Sequence, residues 1–271
     1  MHSSKGVSRP FALFSLVIFP NFAMSGMVEH QKRAVFILGA PRSGTSVTTG
    51  VLGQLGLYLG DKLTPAGSWN PKGDYEDENT VVLNRELIRT FGICPRNAST
   101  KQPIDFKSHE ESPQAIKKIQ RVLKKSFNGS QQFGLKHPRV CLLLPLYLQA
   151  AQELGYEPNL VIVSRDSRDV VKSLNKSEKQ IGDEYTMAEG LAFVNQFLRP
   201  IGQYAADYNH VRITFDDITK RTPTAIEKIR RLLPELQSYR QNKLRIDQFV
   251  TPAPLLHKMQ DQAKAERKKA E

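Results

Sequence analysis

The stretch AVFILGAPRSGTS, residues 34–46, constrains the fold more than any other part of this chain. Its apolar first part, 35–38, is partly β-branched and predicts a buried strand. Gly39 and Gly44 then have the G-x-x-x-x-G spacing of a phosphate-binding loop. Apolar residues follow at helical spacing, so a helix N-terminus with unpaired N–H groups is expected to face whatever the loop binds.

The loop departs from the Walker A sequence where a nucleotide hydrolase has its lysine. That position is Thr45, and the cation lies earlier, at Arg42. A second apolar strand, 160–164, ends in Arg165 rather than in the aspartate that would hold Mg²⁺. Both departures argue against Mg-ATP and favour another phosphate-like group as the ligand.

Short apolar strands alternate with amphipathic helices along the chain, a pattern typical of a parallel sheet covered on both faces. The predicted strands are 34–38, 132–135, 160–164 and 211–215, and the predicted helices are 46–57, 79–90, 112–127, 139–154, 167–175, 186–208 and 223–233. The sequence therefore predicts an α/β protein with a P-loop-like three-layer fold and a central, mainly parallel sheet. Ligands of such sheets bind at the carboxyl ends of the strands.

Three segments are expected along the chain. Residues 1–30 form an apolar segment, either a targeting sequence or an addition upstream of the native start; 31–250 form the α/β domain, and 251–271 a basic helical tail. The apolar run is shorter than the ~20 residues that span a bilayer. A cytoplasmic protein is therefore expected, and membrane association through residues 10–28 is the alternative.

The formal net charge of +12 favours acidic partners such as a polyanionic nucleotide. A nucleic-acid partner is not expected, because no stripe combines basic residues with the aromatic residues that stack on bases. Cys94 and Cys141 are the only cysteines and lack the spacing of metal ligands, so no metal site is predicted.

Two motifs together resemble the family of sulfotransferases that use 3′-phosphoadenosine 5′-phosphosulfate (PAPS), in its bacterial form. The sequence PRSGTS at 41–46 matches the family's P-[KR]-S-G-T-[ST] loop, which binds the 5′-phosphosulfate. Arg165, with Ser173 eight residues later, matches the pair that binds the 3′-phosphate. The segments at 70–77, 134–139 and 215–218 are also similar to family segments. The resemblance implies PAPS as co-substrate, no metal, and a cofactor site made of Arg42, Ser43, Gly44, Thr45, Ser46, Arg165 and Ser173.

The resemblance also implies transfer of a sulfuryl group to a hydroxyl or amine of a small-molecule, carbohydrate or lipid acceptor, with a general base activating the acceptor. His137 is the first candidate base, because it follows a predicted strand, opens a helix and is neutral near pH 7; its alternative role is to cap that helix. Glu76 is the second candidate, since several family branches use a glutamate after the first helix. Lys136 and Arg42 would neutralise the charge of the sulfuryl group.

Two other functions are compatible with parts of the pattern. A P-loop kinase of nucleosides or small molecules would depend on Mg-ATP. A non-catalytic protein that binds polyanions through its basic surface would bind generic DNA with a steep salt dependence.

Overall fold

A central sheet of four parallel strands organises the computed structural model, which describes residues 31–251 apart from 67–69, 71, 95–103, 128 and 179–183. The strands are β1 (Arg33–Leu38), β2 (Gln132–Leu135), β3 (Glu157–Ser164) and β4 (Asn209–Thr214), in the spatial order β2-β1-β3-β4. Every neighbouring pair is parallel. The predicted α/β fold with a parallel sheet flanked by helices is confirmed.

The helices within the described ranges are α1 (Thr45–Gln54), α2 (Glu78–Thr90), α3 (Ser112–Phe127), α4 (Pro138–Leu142), α5 (Leu144–Glu153), α6 (Ser167–Glu178), α7 (Met187–Tyr204), α8 (Phe215–Lys220), α9 (Thr222–Arg230) and α10 (Tyr239–Val250), with a 3₁₀ turn at Ala205–Asp207. The single helix predicted at 139–154 is divided at Leu143. Pro145 lies in the first turn of α5, where its missing N–H costs no hydrogen bond, so the chain restarts a helix there.

Two further corrections concern the end of the chain. The strand predicted at 211–215 ends one residue earlier, because Thr214 and Asp217 form a reciprocal capping box that starts α8 at Phe215. Helix α10 was not predicted, although Ser238 and Gln241 also form a capping box. Both boxes can be read from the sequence as T-x-x-D and S-x-x-Q.

Strand β1 is buried on both faces, which places its end at the centre of the sheet. Ala34, Phe36 and Leu38 pack into one core with α2 to α7, and Val35 and Ile37 pack into a second core with α1 and α8 to α10. The period of two in a strand sends alternate side chains to the two faces. The loop after β1 therefore emerges at the middle of the carboxyl edge.

The two glycines of the loop have separate steric reasons. A Cβ on Gly39 would lie 2.5 Å from the carbonyl oxygen of Val163, so only glycine lets the loop pass β3 this closely. Gly44 has φ 103, a left-handed conformation, and a Cβ there would lie 2.7 Å from the ring of Phe215. The predicted spacing thus meets two backbone requirements of the fold.

The predicted N-terminal segment 1–30 lies outside the described residues, as does the basic tail from 252 onward. Membrane association through residues 10–28 falls in the same region. Across the part of the chain that is described, no helix is long and apolar enough to cross a membrane. The domain boundaries at 31 and 250 remain predictions.

Candidate active site

The loop between β1 and α1 presents backbone N–H groups that no side chain caps within the described residues. Gly44 is the N-cap of α1 and offers no side chain, so the positive end of this helix is open. Ser43 is 2% exposed, and its hydroxyl has no hydrogen-bond partner among the described residues. Arg42 has φ 67, a left-handed conformation that costs a non-glycine residue about 1–3 kcal/mol. An open helix end beside a buried, unpartnered hydroxyl suits an anion.

The second phosphate motif contacts this loop directly. Arg42 Nε donates a hydrogen bond to Ser173 Oγ at 3.1 Å, and Arg165 Nη1 donates to the carbonyl oxygen of Arg42 at 3.3 Å. The reason is the register of β1 with β3, in which Leu38 pairs with Ile162, so both strands end at one edge. Two motifs more than 120 residues apart in sequence therefore form one site.

A cavity of about 550 Å³ opens beside Arg165, at the carboxyl ends of β3 and β4. The guanidinium carbon of Arg165 lies 4.5 Å from the ring centroid of Phe215, within cation–π range. Phe215 was predicted as the end of a strand and not as a site residue. The only feature of the sequence that could have indicated its contact with Arg165 is an aromatic residue directly after β4.

Lys136 connects the loop to the acidic segment before α2. It is 4% exposed and follows β2 directly. Its Nζ donates hydrogen bonds to Glu76 Oε1 at 2.6 Å, to Ser46 Oγ at 3.1 Å and to the carbonyl oxygen of Asp74 at 3.1 Å. All three N–H donors of the ammonium group are used, so its position is well determined.

Glu76 is held by the start of α2. Asp77, the N-cap of that helix, accepts hydrogen bonds from the Thr80 N–H at 2.8 Å and from Ser126 Oγ at 3.0 Å, and the Thr64 N–H donates to the Glu76 carbonyl at 2.8 Å. Burial raises the pKa of the Glu76 carboxyl, and the charge of Lys136 partly offsets that rise. The result is a largely buried carboxylate with one lysine partner.

His137 caps α4, the alternative role that the sequence pattern left open. Its Nδ1 accepts a hydrogen bond from the Arg139 N–H at 3.1 Å and lies 3.2 Å from Asn84 Nδ2. Since Tyr147 donates to Asn84 Oδ1 at 2.8 Å, the amide group of Asn84 is oriented with Nδ2 toward the ring. In the neutral ring the proton is then on Nε2, which lies 3.6 Å from Glu76 Oε2.

The predicted site residues lie in two connected groups. The loop residues from Arg42 to Ser46 meet Arg165 and Ser173, while Glu76, Lys136 and His137 form a buried cluster. The bond from Lys136 to Ser46 joins the groups. Asn84, Asp74 and Phe215 were not predicted. Within the described residues, no group of three histidine, cysteine or acidic side chains could hold a metal ion.

The histidine gives a prediction about stability and pH. Burial, followed by the charges of Arg139, Lys136 and Arg85, lowers the pKa of His137 to about 3. Between pH 3 and 6.5 the unfolded chain binds a proton that the folded chain excludes, so this group destabilises the fold as the pH falls. Asparagine is a good N-cap without a charge. We expect the free energy of unfolding to fall between pH 7 and 5 by about 2 kcal/mol more in the wild type than in His137→Asn.

Urea unfolding at the two pH values measures this difference. His210→Asn, at an exposed histidine on β4, is the matched control and should keep the wild-type pH dependence. Equal pH dependence in the wild type and His137→Asn would show that His137 is not buried as described.

Comparisons with known proteins show a similarity to a solved structure. No protein-family model matches the chain, and no curated protein matches it. A solved sulfotransferase domain from the curacin biosynthetic pathway is similar over 75% of this chain and 74% of its own, with 16% sequence identity and a TM-score of 0.43. At that level of similarity the function has to be argued from the site itself.

Proposed function

We propose that this chain is a sulfotransferase that moves a sulfuryl group from PAPS to a hydroxyl or amine of an acceptor without a metal ion. The observation that carries the proposal is the contact of the phosphate loop with Arg165 and Ser173. Two sites for oxyanions at one edge of the sheet fit a nucleotide with phosphates on both its 5′ and 3′ positions. The absence of a loop lysine at Thr45 fits a donor without Mg²⁺.

In this proposal the backbone N–H groups of 44–46, the Ser43 hydroxyl, which has no partner among the described residues, and the Arg42 side chain bind the 5′-phosphosulfate. The Ser43 N–H is not available, because it donates to the Ala40 carbonyl at 3.1 Å. Arg165 and Ser173 bind the 3′-phosphate, with the guanidinium group as a planar fork for its oxygens. The ring of Phe215 limits how Arg165 can turn, because the two groups are in contact. The cavity beside Arg165 accommodates the nucleoside.

The transfer breaks the bond between the sulfur and the bridging phosphate oxygen and forms a bond from the sulfur to the acceptor. Negative charge grows on the bridging oxygen, and donors fixed in advance stabilise it without reorganisation. All three N–H groups of Lys136 are already donated, so Lys136 acts on this oxygen through its positive charge, which the three hydrogen bonds hold beside Ser46. Arg42 supplies a second positive charge at the loop.

Glu76 is the base in this proposal, although the sequence pattern placed His137 first. The Nδ1 atom of His137 already accepts the Arg139 N–H, and its Nε2 carries the proton of the neutral ring. The ring therefore has no free lone pair to accept a proton from the acceptor. Glu76 Oε1 accepts a hydrogen bond from Lys136, while Oε2 lies 3.6 Å from His137 Nε2, beyond hydrogen-bond distance, so it accepts no hydrogen bond from that ring. The proton of the acceptor passes to Glu76.

Calorimetric titration with adenosine 3′,5′-bisphosphate in the presence of EDTA tests the donor site. We expect micromolar binding that weakens at least tenfold in Arg165→Ala, because a charged fork to a phosphate is lost. Arg168→Ala, at the exposed second residue of α6, should bind as the wild type does. Binding of Mg-ATP without binding of the bisphosphate would instead support a kinase, and binding of generic DNA with a steep salt dependence would support a polyanion-binding protein.

A further inference from the structure

Tyr75 lies between the two groups of the acidic segment that Lys136 holds. The carbonyl oxygen of Asp74 and Oε1 of Glu76, one on each side of Tyr75, both accept hydrogen bonds from Lys136 Nζ. Tyr75 has φ 57, a left-handed conformation that costs a non-glycine residue about 1–3 kcal/mol and persists only where the surrounding contacts enforce it. Because φ sets the direction of the preceding peptide group, this conformation determines where the Asp74 carbonyl oxygen points.

The contacts that hold Tyr75 come from α1 and α10. Its ring packs edge-on against Phe249 of α10, with the ring centroids 6.0 Å apart and an interplanar angle of 78°. Both rings lie against Gly50 of α1, where a Cβ would be 2.4 Å from Phe249 Cζ and 2.9 Å from Tyr75 Cε2. Glycine in a helix interior costs about 0.5–1 kcal/mol relative to alanine. Here the glycine supplies the space that the two rings occupy.

Lys72 fixes the end of α10 that carries Phe249. Its Nζ donates hydrogen bonds to the carbonyl oxygens of Phe249 and of Thr251, the second at 2.9 Å. The same nitrogen lies 5.3 Å from the ring centroid of Phe249, within cation–π range. A cation at a helix C-terminus satisfies carbonyl groups there and opposes the negative end of the helix dipole. The segment from Lys72 to Tyr75 therefore contacts α10 at both of its ends.

We propose that Tyr75 and Phe249 are positioning residues, which hold Glu76 beside Lys136 in the geometry that accepts the acceptor's proton. This inference rests on the proposed function, because it takes Glu76 as the base. Two locally unfavourable features, the strained backbone of Tyr75 and the glycine inside α1, meet at one contact directly before that carboxylate. Helix α10 thereby supports the candidate active site, although it lies at the end of the described chain.

Gly50→Ala and Phe249→Leu disturb this contact from its two sides. We expect each to lower kcat for sulfuryl transfer by about tenfold or more, because a shift of about 1 Å in a reacting group can cost about 10²-fold. Affinity for adenosine 3′,5′-bisphosphate should stay within about twofold of the wild type. Gly53→Ala is the matched control on the same helix: a Cβ there would be 2.8 Å from Leu59 Cδ1, so it displaces Leu59 instead of the two rings, and kcat should be unchanged.

The Glu76→Gln background separates positioning from a general loss of structure. If the aromatic contact acts through Glu76, then Gly50→Ala and Phe249→Leu should lower kcat by no more than about twofold once Glu76→Gln is present. The same loss of kcat in both backgrounds would overturn the proposal.

The ¹⁵N spectrum of the Lys136 ammonium group gives a readout that needs no activity. Its three hydrogen bonds slow the exchange of its protons with water. We expect this exchange to accelerate at least tenfold in Gly50→Ala and Phe249→Leu and to keep its wild-type rate in Gly53→Ala. An unchanged rate in the first two variants would contradict the positioning role. Faster exchange in a chain that does not bind the bisphosphate would reject the sulfotransferase function and keep the contact that holds Glu76.

Discussion

Glu76→Gln is expected to lower kcat for sulfuryl transfer by about 10²- to 10⁴-fold, the usual contribution of a general base. The amide is nearly the same size but cannot accept the acceptor's proton. Affinity for adenosine 3′,5′-bisphosphate should change by no more than about twofold, because the loop and Arg165 are untouched. Release of the bisphosphate from PAPS in the presence of an acceptor measures kcat, and calorimetry measures the affinity.

Glu78→Gln is the matched control, since Glu78 is an exposed carboxyl two residues along the same segment. It should retain the wild-type kcat.

The pH dependence of the wild type gives a separate test of the base. The wild-type kcat should fall as the pH is lowered through the pKa of Glu76, which burial raises above its ordinary value, and no step should appear near the ordinary pKa of histidine. Full activity of Glu76→Gln together with a step near pH 6.5 would return the role of base to His137.

Lys136→Met is expected to lower kcat by about 10²- to 10³-fold, the cost of removing one preorganised positive charge beside a developing negative charge. It should also move the acid limb of the pH profile to higher pH. The sign follows from the contacts: the Lys136 charge lowers the pKa of Glu76, so its removal raises that pKa further. Loss of the ion pair leaves a largely buried carboxylate unpaired, so the free energy of unfolding should fall by about 3 kcal/mol.

The pH dependence of kcat and a urea unfolding curve measure both effects of Lys136→Met. Lys118→Met is the control, because that lysine forms an exposed ion pair with Glu86 and should matter by less than about 1 kcal/mol. A Lys136→Met variant with the wild-type acid limb would contradict the coupling between Lys136 and Glu76.

The core of the fold could be predicted because it depends on patterns among residues that are close together in the sequence. Val35 to Leu38 alternate between the two core faces, and Gly39 and Gly44 are spaced as a phosphate loop requires. The break between α4 and α5 was not predicted, because the apolar residues continue across it. Pro145 was the residue in the sequence that indicated a new helix start there. Capping boxes start α8 and α10, and these local hydrogen bonds outweigh weak apolar periodicity.

The order of the two candidate bases could not be predicted in the same way. A histidine after a strand has the same sequence appearance whether its ring is open to the ligand or buried. Its actual state depends on the Arg139 N–H, on Asn84 and on Tyr147, which come from three helices. The position of Phe215 over Arg165 depends equally on packing between distant segments.

By itself the sequence determined the parallel α/β architecture and the residues of the two motifs that are proposed to bind phosphate groups, because strand alternation, glycine spacing and a strand-ending arginine are local properties of the chain. Only the tertiary structure decided how those residues meet. The register of β1 with β3 brings Arg42 to Ser173 and Arg165. The hydrogen bond from the Arg139 N–H to His137 Nδ1 occupies the lone pair of the neutral imidazole, which is why Glu76 is the proposed base. Burial and contacts between distant segments set the charge of a group, and neither is encoded in the order of neighbouring residues.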